Sequence, residues 1–179
     1  MINTKIVVKT KSKSYPIYFG NGIISKTDKL IKSNLPNVKK VCIVSDKNIP
    51  LVLLKKLNRS LKKYNPITYR LTVSEKIKNF KIAYKLIEKL LKNNFTRSDC
   101  VIAFGGGIVG DLTAFVSSLT KRGTKFINIP TTLLAQVDAS IGGKTAVNTV
   151  QGKNLIGTFY QPDFVLADTS ILSSLPKNE

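Results

Sequence analysis

The sequence predicts an α/β fold: a doubly wound, mostly parallel sheet with flanking helices. Three observations predict it. Runs dominated by apolar residues, VCIVSD at 41–46, CVIAF at 100–104, KFINIP at 125–130 and FVLAD at 164–168, read as strands buried on both faces. Between strands lie stretches with helical periodicity, clearest in Phe80, Ala83, Leu86, Ile87, Leu90 and Leu91. Parallel neighbours need crossover helices, so this alternation implies a parallel sheet. Finally, CVIAF runs straight into Gly105-Gly106-Gly107, and IVGDLTAFVSSL continues as a helix. A packed segment has no need of three adjacent glycines. They let a backbone approach something bulky, open the left-handed region, and present N–H groups to an anion.

The remaining elements follow in order. IVVKT and SYPIYFG suggest two strands joined by the polar KSKS, with Asn21-Gly22 turning out of the second. A short polar helical stretch reaches Asn34 and is broken by Leu35-Pro36-Asn37. Pro50 opens a helix to about Lys63, as a first-turn proline does. ITYRL at 67–71 is a strand, and TTLLAQVDAS starts a helix with Thr131 or Thr132 placed to cap it. There is no internal repeat, low-complexity linker or clear domain boundary, so residues 1–179 read as a single domain.

Composition narrows the function. The chain is 42% hydrophobic with no apolar run near the ~18 residues of a membrane span. Its start, MINTKIVVKTKSKS, lacks a signal peptide's apolar core, which predicts a cytoplasmic address. Cys42 and Cys100 sit in apolar runs and read as buried thiols, not a disulfide. The net charge of +19 is uneven. Residues 1–100 carry 20 Lys and 3 Arg against 5 acids, whereas residues 101–179 carry 5 Lys and 1 Arg against 5 acids. The excess is nearly all lysine, lacks interleaved aromatics, and lies outside the glycine-rich block. Phosphate and base-edge recognition favours arginine's fork, so the charge reads as a solvated surface and no nucleic-acid partner is expected. With no His, the chain lacks the commonest metal ligand and general base.

Gly105-x-Gly107-x-x-Gly110, with a strand before and a helix after, satisfies the dinucleotide fingerprint. The usual acidic residue further on is missing: Asp111 follows the last glycine directly, and Asp138 is too distant. Asp46 and Glu75, both upstream, are the ribose candidates. Arg122, Asp138, Lys144, Lys153 and Asn154, on glycine-rich loops, suit a small anionic polyol, and the loops of Lys144 and Lys153 are placed after parallel strands. Lysines hold phosphate as point charges and arginine holds a carboxylate through its fork.

These residues carry a resemblance. FGGGIVGDLTAFVSSLTKRGTKFINIPTTLLAQVDASIGGKTAVN, GKNLIGTFYQP and LADTSILSSLP resemble the 3-dehydroquinate synthases of the shikimate pathway, with weaker similarity through SYPIYFG, VSDKN and VSEKIK. The resemblance covers essentially the whole chain, but only the family's N-terminal, Rossmann-like NAD-binding domain. The family continues into a helical domain bearing the metal ligands, a Glu and two His, and the resemblance implies that this domain is absent from residues 1–179; Glu179 matches an acid preceding the Glu ligand. The ligands of the family's divalent metal, Zn or Co, are therefore absent from these residues.

Carried over by position, Asp46 and Asn48 resemble adenosine-side contacts, and Val73-Ser74-Glu75-Lys76-Ile77-Lys78 matches a nucleotide loop. Gly107-Ile108-Val109-Gly110-Asp111 would cradle the pyrophosphate, and Thr131 and Thr132 would lie by the cofactor. Lys144 and Lys153 match lysines between cofactor and substrate, and Ile171-Leu172-Ser173-Ser174 a final cofactor segment. Arg122, Asp138, Lys144 and Asn154 match substrate positions. Two departures are mild: TAVNTVQGKN lacks a His often found before the second lysine, and residues 171–174 are less polar than usual.

The resemblance implies NAD-dependent closure of 3-deoxy-arabino-heptulosonate 7-phosphate to 3-dehydroquinate with loss of phosphate, making the family carbon–oxygen lyases. It further implies a small anionic sugar phosphate as ligand, no membrane partner, and compatibility with a homodimer. This portion alone is expected to be inactive. Alternatives are another sugar-phosphate cyclase, a glycerol dehydrogenase-like NAD enzyme, or, from another class, a basic nucleic-acid-binding module.

Overall fold

The computed structural model describes residues 2–175; Glu179, matched above to a family acid, lies outside them. The strands are β1 (Ile2–Lys9), β2 (Ser14–Gly20), β3 (Val41–Asp46), β4 (Ile67–Leu71), β5 (Cys100–Gly105), β6 (Lys125–Pro130), β7 (Lys144–Thr149), β8 (Gly152–Phe159) and β9 (Phe164–Asp168). The helices are α1 (Thr27–Asn34), α2 (Leu51–Ser60), α3 (Phe80–Lys92) and α4 (Gly107–Leu119). Seven strands form one sheet in the order β1-β2-β9-β6-β5-β3-β4. Only β1 runs antiparallel to its neighbour; the other pairings are parallel, as the continuous apolar runs predict.

Period-two alternation divides the core. Ile43, Ile102, Phe104, Ile127 and Ile129 belong to the cluster that also holds Leu30 and Ile31 of α1 and Leu54 and Leu57 of α2. Cys42, Val44, Val101, Ala103 and Phe126 turn the other way, joining Leu86 and Leu90 of α3 and Leu112 and Phe115 of α4. Each side of the sheet is thus covered by two helices, the doubly wound arrangement. Asn79 starts α3 by accepting from the Ile82 N–H at 3.0 Å. Asp168, fully buried, accepts from the N–H groups of Gly22 (2.8 Å) and Ile24 (2.9 Å), and so locks the turn after β2 to the end of β9.

Strand order creates the functional edge. The chain steps from β3 outward to β4, then returns to β5 on the opposite side of β3. Such a reversal leaves a crevice outside the carboxyl ends of the two flanking strands. Here those ends are Asp46 and Gly105.

Three expectations need correction. The helix expected from Thr131 is reduced to a short turn that widens into a π-type turn at Ala135–Ala139. Thr132 does cap it, its hydroxyl accepting from Ala135 N at 3.3 Å. Gln136 ties the turn down by donating to the carbonyls of Pro130 (3.2 Å) and Asp168 (3.1 Å), and Gly142 and Gly143, at φ 95° and 67°, lead the chain away. Second, Lys144 and Lys153 are not on loops after parallel strands. They lie on β7 and β8, an antiparallel hairpin separate from the main sheet. The pattern there is weak because β8 is exposed through most of its length. Third, none of Gly105, Gly106, Gly107 or Gly110 takes a positive φ; Gly106 sits at −76°. Their role is room: a Cβ on Gly105 would stand 2.6 Å from Val109, and one on Gly106 3.2 Å from Thr132.

Candidate active site

A cleft of about 690 Å³ fills the crevice. Asp46 and Asn48 line it from the end of β3, Val73 from the loop after β4, and Gly106, Gly107 and Ile108 from the start of α4. Thr131, Thr132, Ile171 and Ser174 complete the far wall. Asp46 is shaped by its own turn, Oδ1 accepting from Asn48 N at 2.8 Å. The first turn of α4 has no side-chain cap, since Gly106 supplies none. Its free N–H groups and positive dipole end therefore face the cleft. Val109 is wholly buried and Gly110 packs toward Asn128, so neither of these two positions of the expected pyrophosphate cradle lines the cleft.

Beyond α4 a second cleft, about 460 Å³, is lined by Asp111, Lys144, Thr145, Asn154, Thr158 and Phe159 among others. The hairpin is held over α4 by polar contacts. Thr158 donates to Ser118 Oγ at 2.9 Å, and Asn148 N–H donates to the Lys78 carbonyl at 2.7 Å. Asn148 Nδ2 reaches Glu75 Oε1 at 2.7 Å, so Glu75 is engaged with the hairpin. Lys78, nearly buried, pairs with Asp111 and donates to Asn154 Oδ1 at 2.6 Å. Burial pushes the Asp111 carboxyl above its ordinary range, against the lowering pull of the Lys78 ammonium.

The structure thus gathers Asp46, Asn48, Val73, Gly107, Ile108, Thr131, Thr132, Ile171 and Ser174 at one cleft, and Asp111, Lys144 and Asn154 at the adjoining one. Ser74 and Lys76 are exposed flanks of the 73–78 loop, while Leu172 and Ser173 flank the residues that line the cleft. Lys153 is exposed on β8, next to Asn154, and Asp138 is exposed on the π-type turn. Arg122 stands apart. It precedes β6 at the opposite edge of the sheet, in a basic hollow with Lys13, Arg97 and Lys125. It belongs to a left-handed run, Lys121 at φ 53°, Arg122 at 61° and Gly123 at 116°.

Sequence reasoning missed Ile49, Pro50, Leu134 and Leu175, which give the larger cleft apolar wall. Their position immediately beside predicted contacts was the available signal. Among the described residues no cluster of His, Cys, Asp and Glu could hold a metal ion, and no helix is long and apolar enough to cross a membrane.

A family model described as the N-terminal part of 3-dehydroquinate synthase matches residues 68–179. The chain belongs to the 3-dehydroquinate synthase family. The 3-dehydroquinate synthase of Pelagibacter ubique (strain HTCC1062) is 51% identical over 175 residues, 98% of this chain and 48% of that protein. This chain accordingly spans about half the length of the curated 3-dehydroquinate synthases it matches. Among solved structures, 2-deoxy-scyllo-inosose synthase complexed with carbaglucose-6-phosphate, NAD+ and Co2+ superposes with a TM-score of 0.89 at 28% identity, covering 97% of this chain and 47% of that one. The 2-epi-5-epi-valiolone synthase of Streptomyces hygroscopicus subsp. jinggangensis 5008, with NAD+ and Zn2+ bound, gives 0.78 at 25% identity, with 95% and 47% covered. The fold expected from the 3-dehydroquinate synthase resemblance is therefore the one observed.

Proposed function

We propose that this chain is the cofactor-binding half of a 3-dehydroquinate synthase, holding NAD+ in the crevice between β3 and β5 and an anionic sugar phosphate against the β7–β8 hairpin. The observation that carries this reading is the uncapped N-terminus of α4 opening into the cleft beside Asp46. The N–H groups there suit a pyrophosphate, and a carboxylate at the end of β3 suits ribose hydroxyls. Gly106 and Gly107 keep the approach clear, and Thr131 and Thr132 bound it.

Bound NAD+ supplies a reversible hydride acceptor for a ring hydroxyl. The residues of this chain bind and orient. Lys144 and Lys153 offer positive charge to phosphate, and Asn154 and Asp111 offer hydrogen-bonding groups to the ligand's oxygens. A divalent metal has no ligand set among the described residues, so the role assigned to them is confined to binding, orientation and charge. The reaction of the complete enzyme is read as conversion of 3-deoxy-arabino-heptulosonate 7-phosphate to 3-dehydroquinate and phosphate, in the cytoplasm. This half is read as inactive alone.

Calorimetric titration with NAD+ tests the reading. The wild-type chain should bind. Gly107→Val, which sets a β-branched side chain at the cleft, should weaken binding by at least tenfold, about 1.4 kcal/mol, with the fold retained. Equal affinity in the variant, no binding by the wild type, or dehydroquinate formation by this chain alone would each contradict it. A second reading, a cyclase for a different sugar phosphate, is favoured by the 0.89 superposition on 2-deoxy-scyllo-inosose synthase. Phosphate release from candidate sugar phosphates, assayed with this half joined to the remainder of a relative, separates the two.

A further inference from the structure

Lys78 lies at the centre of a closed polar network that no single binding role explains. Its side chain is 6% exposed, and its ammonium is engaged by Asp111 of α4 and by Asn154 Oδ1 of β8 at 2.6 Å. Its own backbone carbonyl accepts from Asn148 N at 2.7 Å. Asn148 Oδ1 in turn accepts from Asn154 N at 3.0 Å, and Asn154 takes a left-handed φ of 59°. The 75–79 segment, α4 at Asp111 and the hairpin are therefore pinned at one point.

An ammonium has donors and no acceptor. Whatever faces Lys78 must present an oxygen to it, so the Asn154 amide has one workable orientation: carbonyl toward Lys78, Nδ2 hydrogens left for the hairpin cleft that Asn154 lines. Asp111 likewise gives Oδ2 to Lys78 and retains Oδ1 as an acceptor in the same cleft.

We propose that Lys78 is a positioning residue rather than a cofactor contact: it orients Asn154 as a donor and Asp111 as an acceptor, so that the hairpin cleft takes a ligand carrying an anionic oxygen next to a hydroxyl. The ligand class rests on the reading of this cleft as the substrate side. The donor–acceptor polarity rests on Lys78 alone.

The test follows the Asn154 side-chain amide by ¹⁵N–¹H NMR while inorganic phosphate is added to the wild-type chain, Lys78→Met and Lys78→Arg. In the wild type, phosphate should shift the Asn154 amide pair. In Lys78→Met the apparent affinity should fall by about fivefold, the scale of one hydrogen bond, with the backbone resonances of β3, β5 and β6 unmoved. Lys78→Arg, another pure donor, should recover part of the response. Since Lys78→Met leaves Asp111 without its cation and threatens the fold, Lys78→Gln, uncharged but able to donate to both oxygens, is the companion variant and should fall between Lys78→Met and Lys78→Arg. NAD+ calorimetry on these proteins separates the roles: positioning predicts affinity within about threefold of wild type, whereas a direct cofactor contact predicts more than about tenfold loss. An Asn154 amide indifferent to phosphate, an undiminished response in Lys78→Met, or that tenfold loss of NAD+ affinity overturns the proposal. A wild-type chain that binds no NAD+ defeats the cofactor reading, while the phosphate titration still decides the role of Lys78.

Discussion

The main sheet and the β7–β8 hairpin carry the two halves of the candidate site, and they are built on opposite terms. The sheet is sealed: Ile43, Val101, Ile102, Val165 and Leu166 are inaccessible or nearly so, and helices cover both faces. The hairpin has its own two-strand ladder, with Val147 buried but Leu155, Ile156 and Phe159 at 62%, 44% and 81% exposure. An isolated hairpin is marginal in water; this one is kept in place by hydrogen bonds to Ser118, Glu75 and Lys78. Rigid packing thus holds the cofactor cleft, whereas the lysine-bearing cleft rests on Val147, anchored in the α3–α4 core, together with polar ties.

That contrast can be broken or sharpened, beginning with the largest effect. Leu166→Ala removes a wholly buried side chain from the sheet and should cost about 2–5 kcal/mol, visible as a lowered Tm for the entire chain. A loss below ~1 kcal/mol would show that the sheet is less tightly packed than its burial implies. Next is Gly157→Ala. A Cβ there would stand 2.0 Å from the Thr145 carbonyl oxygen and 3.1 Å from Ala146 Cα, so β7 and β8 must separate. The expected cost is about 1–3 kcal/mol, confined to the hairpin. Hydrogen exchange should accelerate at residues 144–159 and leave β3, β5 and β6 protected; a uniform change would mean that the two regions unfold together.

Alkaline titration gives a smaller, graded effect. Burial raises the Cys42 thiol from 9.0 to about 12 and the Tyr160 hydroxyl from 10.0 to about 12. Raised folded-state values mean that the native state holds these protons more tightly than the unfolded chain does. Their contribution is therefore fully present below pH ~9 and is lost progressively as pH rises toward ~12. Denaturant midpoints should fall across that window, and Cys42→Ala should flatten the dependence. The smallest effect belongs to Lys144→Ala and Lys153→Ala, both on exposed positions. Their unfolding free energy should stay within about 0.5 kcal/mol of wild type. In an enzyme of full family length, each should nonetheless lose at least about tenfold in kcat/KM. Loss of fold in either variant would make the lysine structural.

The same contrast explains what could be read in advance. β3, β5, β6 and β9 were legible because burial on both faces demands near-continuous apolar runs, and α3 because its apolar stripe repeats at helical spacing. Asp46 and Gly105 followed as strand ends, but that they flank one crevice depends on the strand order, which no local pattern gives. The hairpin was not legible. In KTAVNT, Thr145 and Val147 do alternate inward, but GKNLIGTF is exposed along most of its length, so no period-two pattern marks it. Its turn, Thr149 to Gly152, also lacks an Asn-Gly pair. The edge of Arg122 was readable, because a loop leading into a parallel strand lies at the amino edge of the sheet; what stayed hidden is which side chains share its hollow. What Lys78 touches belongs to the same class: a residue in the 73–78 loop meets partners in α4 and β8, and no local pattern announces them.

The antiparallel strand at the end of the sheet has a consequence for how copies of this chain meet. β1 offers the outer rim of the seven-stranded ladder, and a free ladder rim is a template on which a second chain can add. Ile6 and Val7, each about half exposed, would favour such addition. Lys5 and Lys9 on the same strand oppose it, because an incoming identical rim would bring like charges together on a molecule that already carries +19. Lysine side chains on such a rim act as a charged brake on edge-to-edge pairing, one that weakens as salt is added.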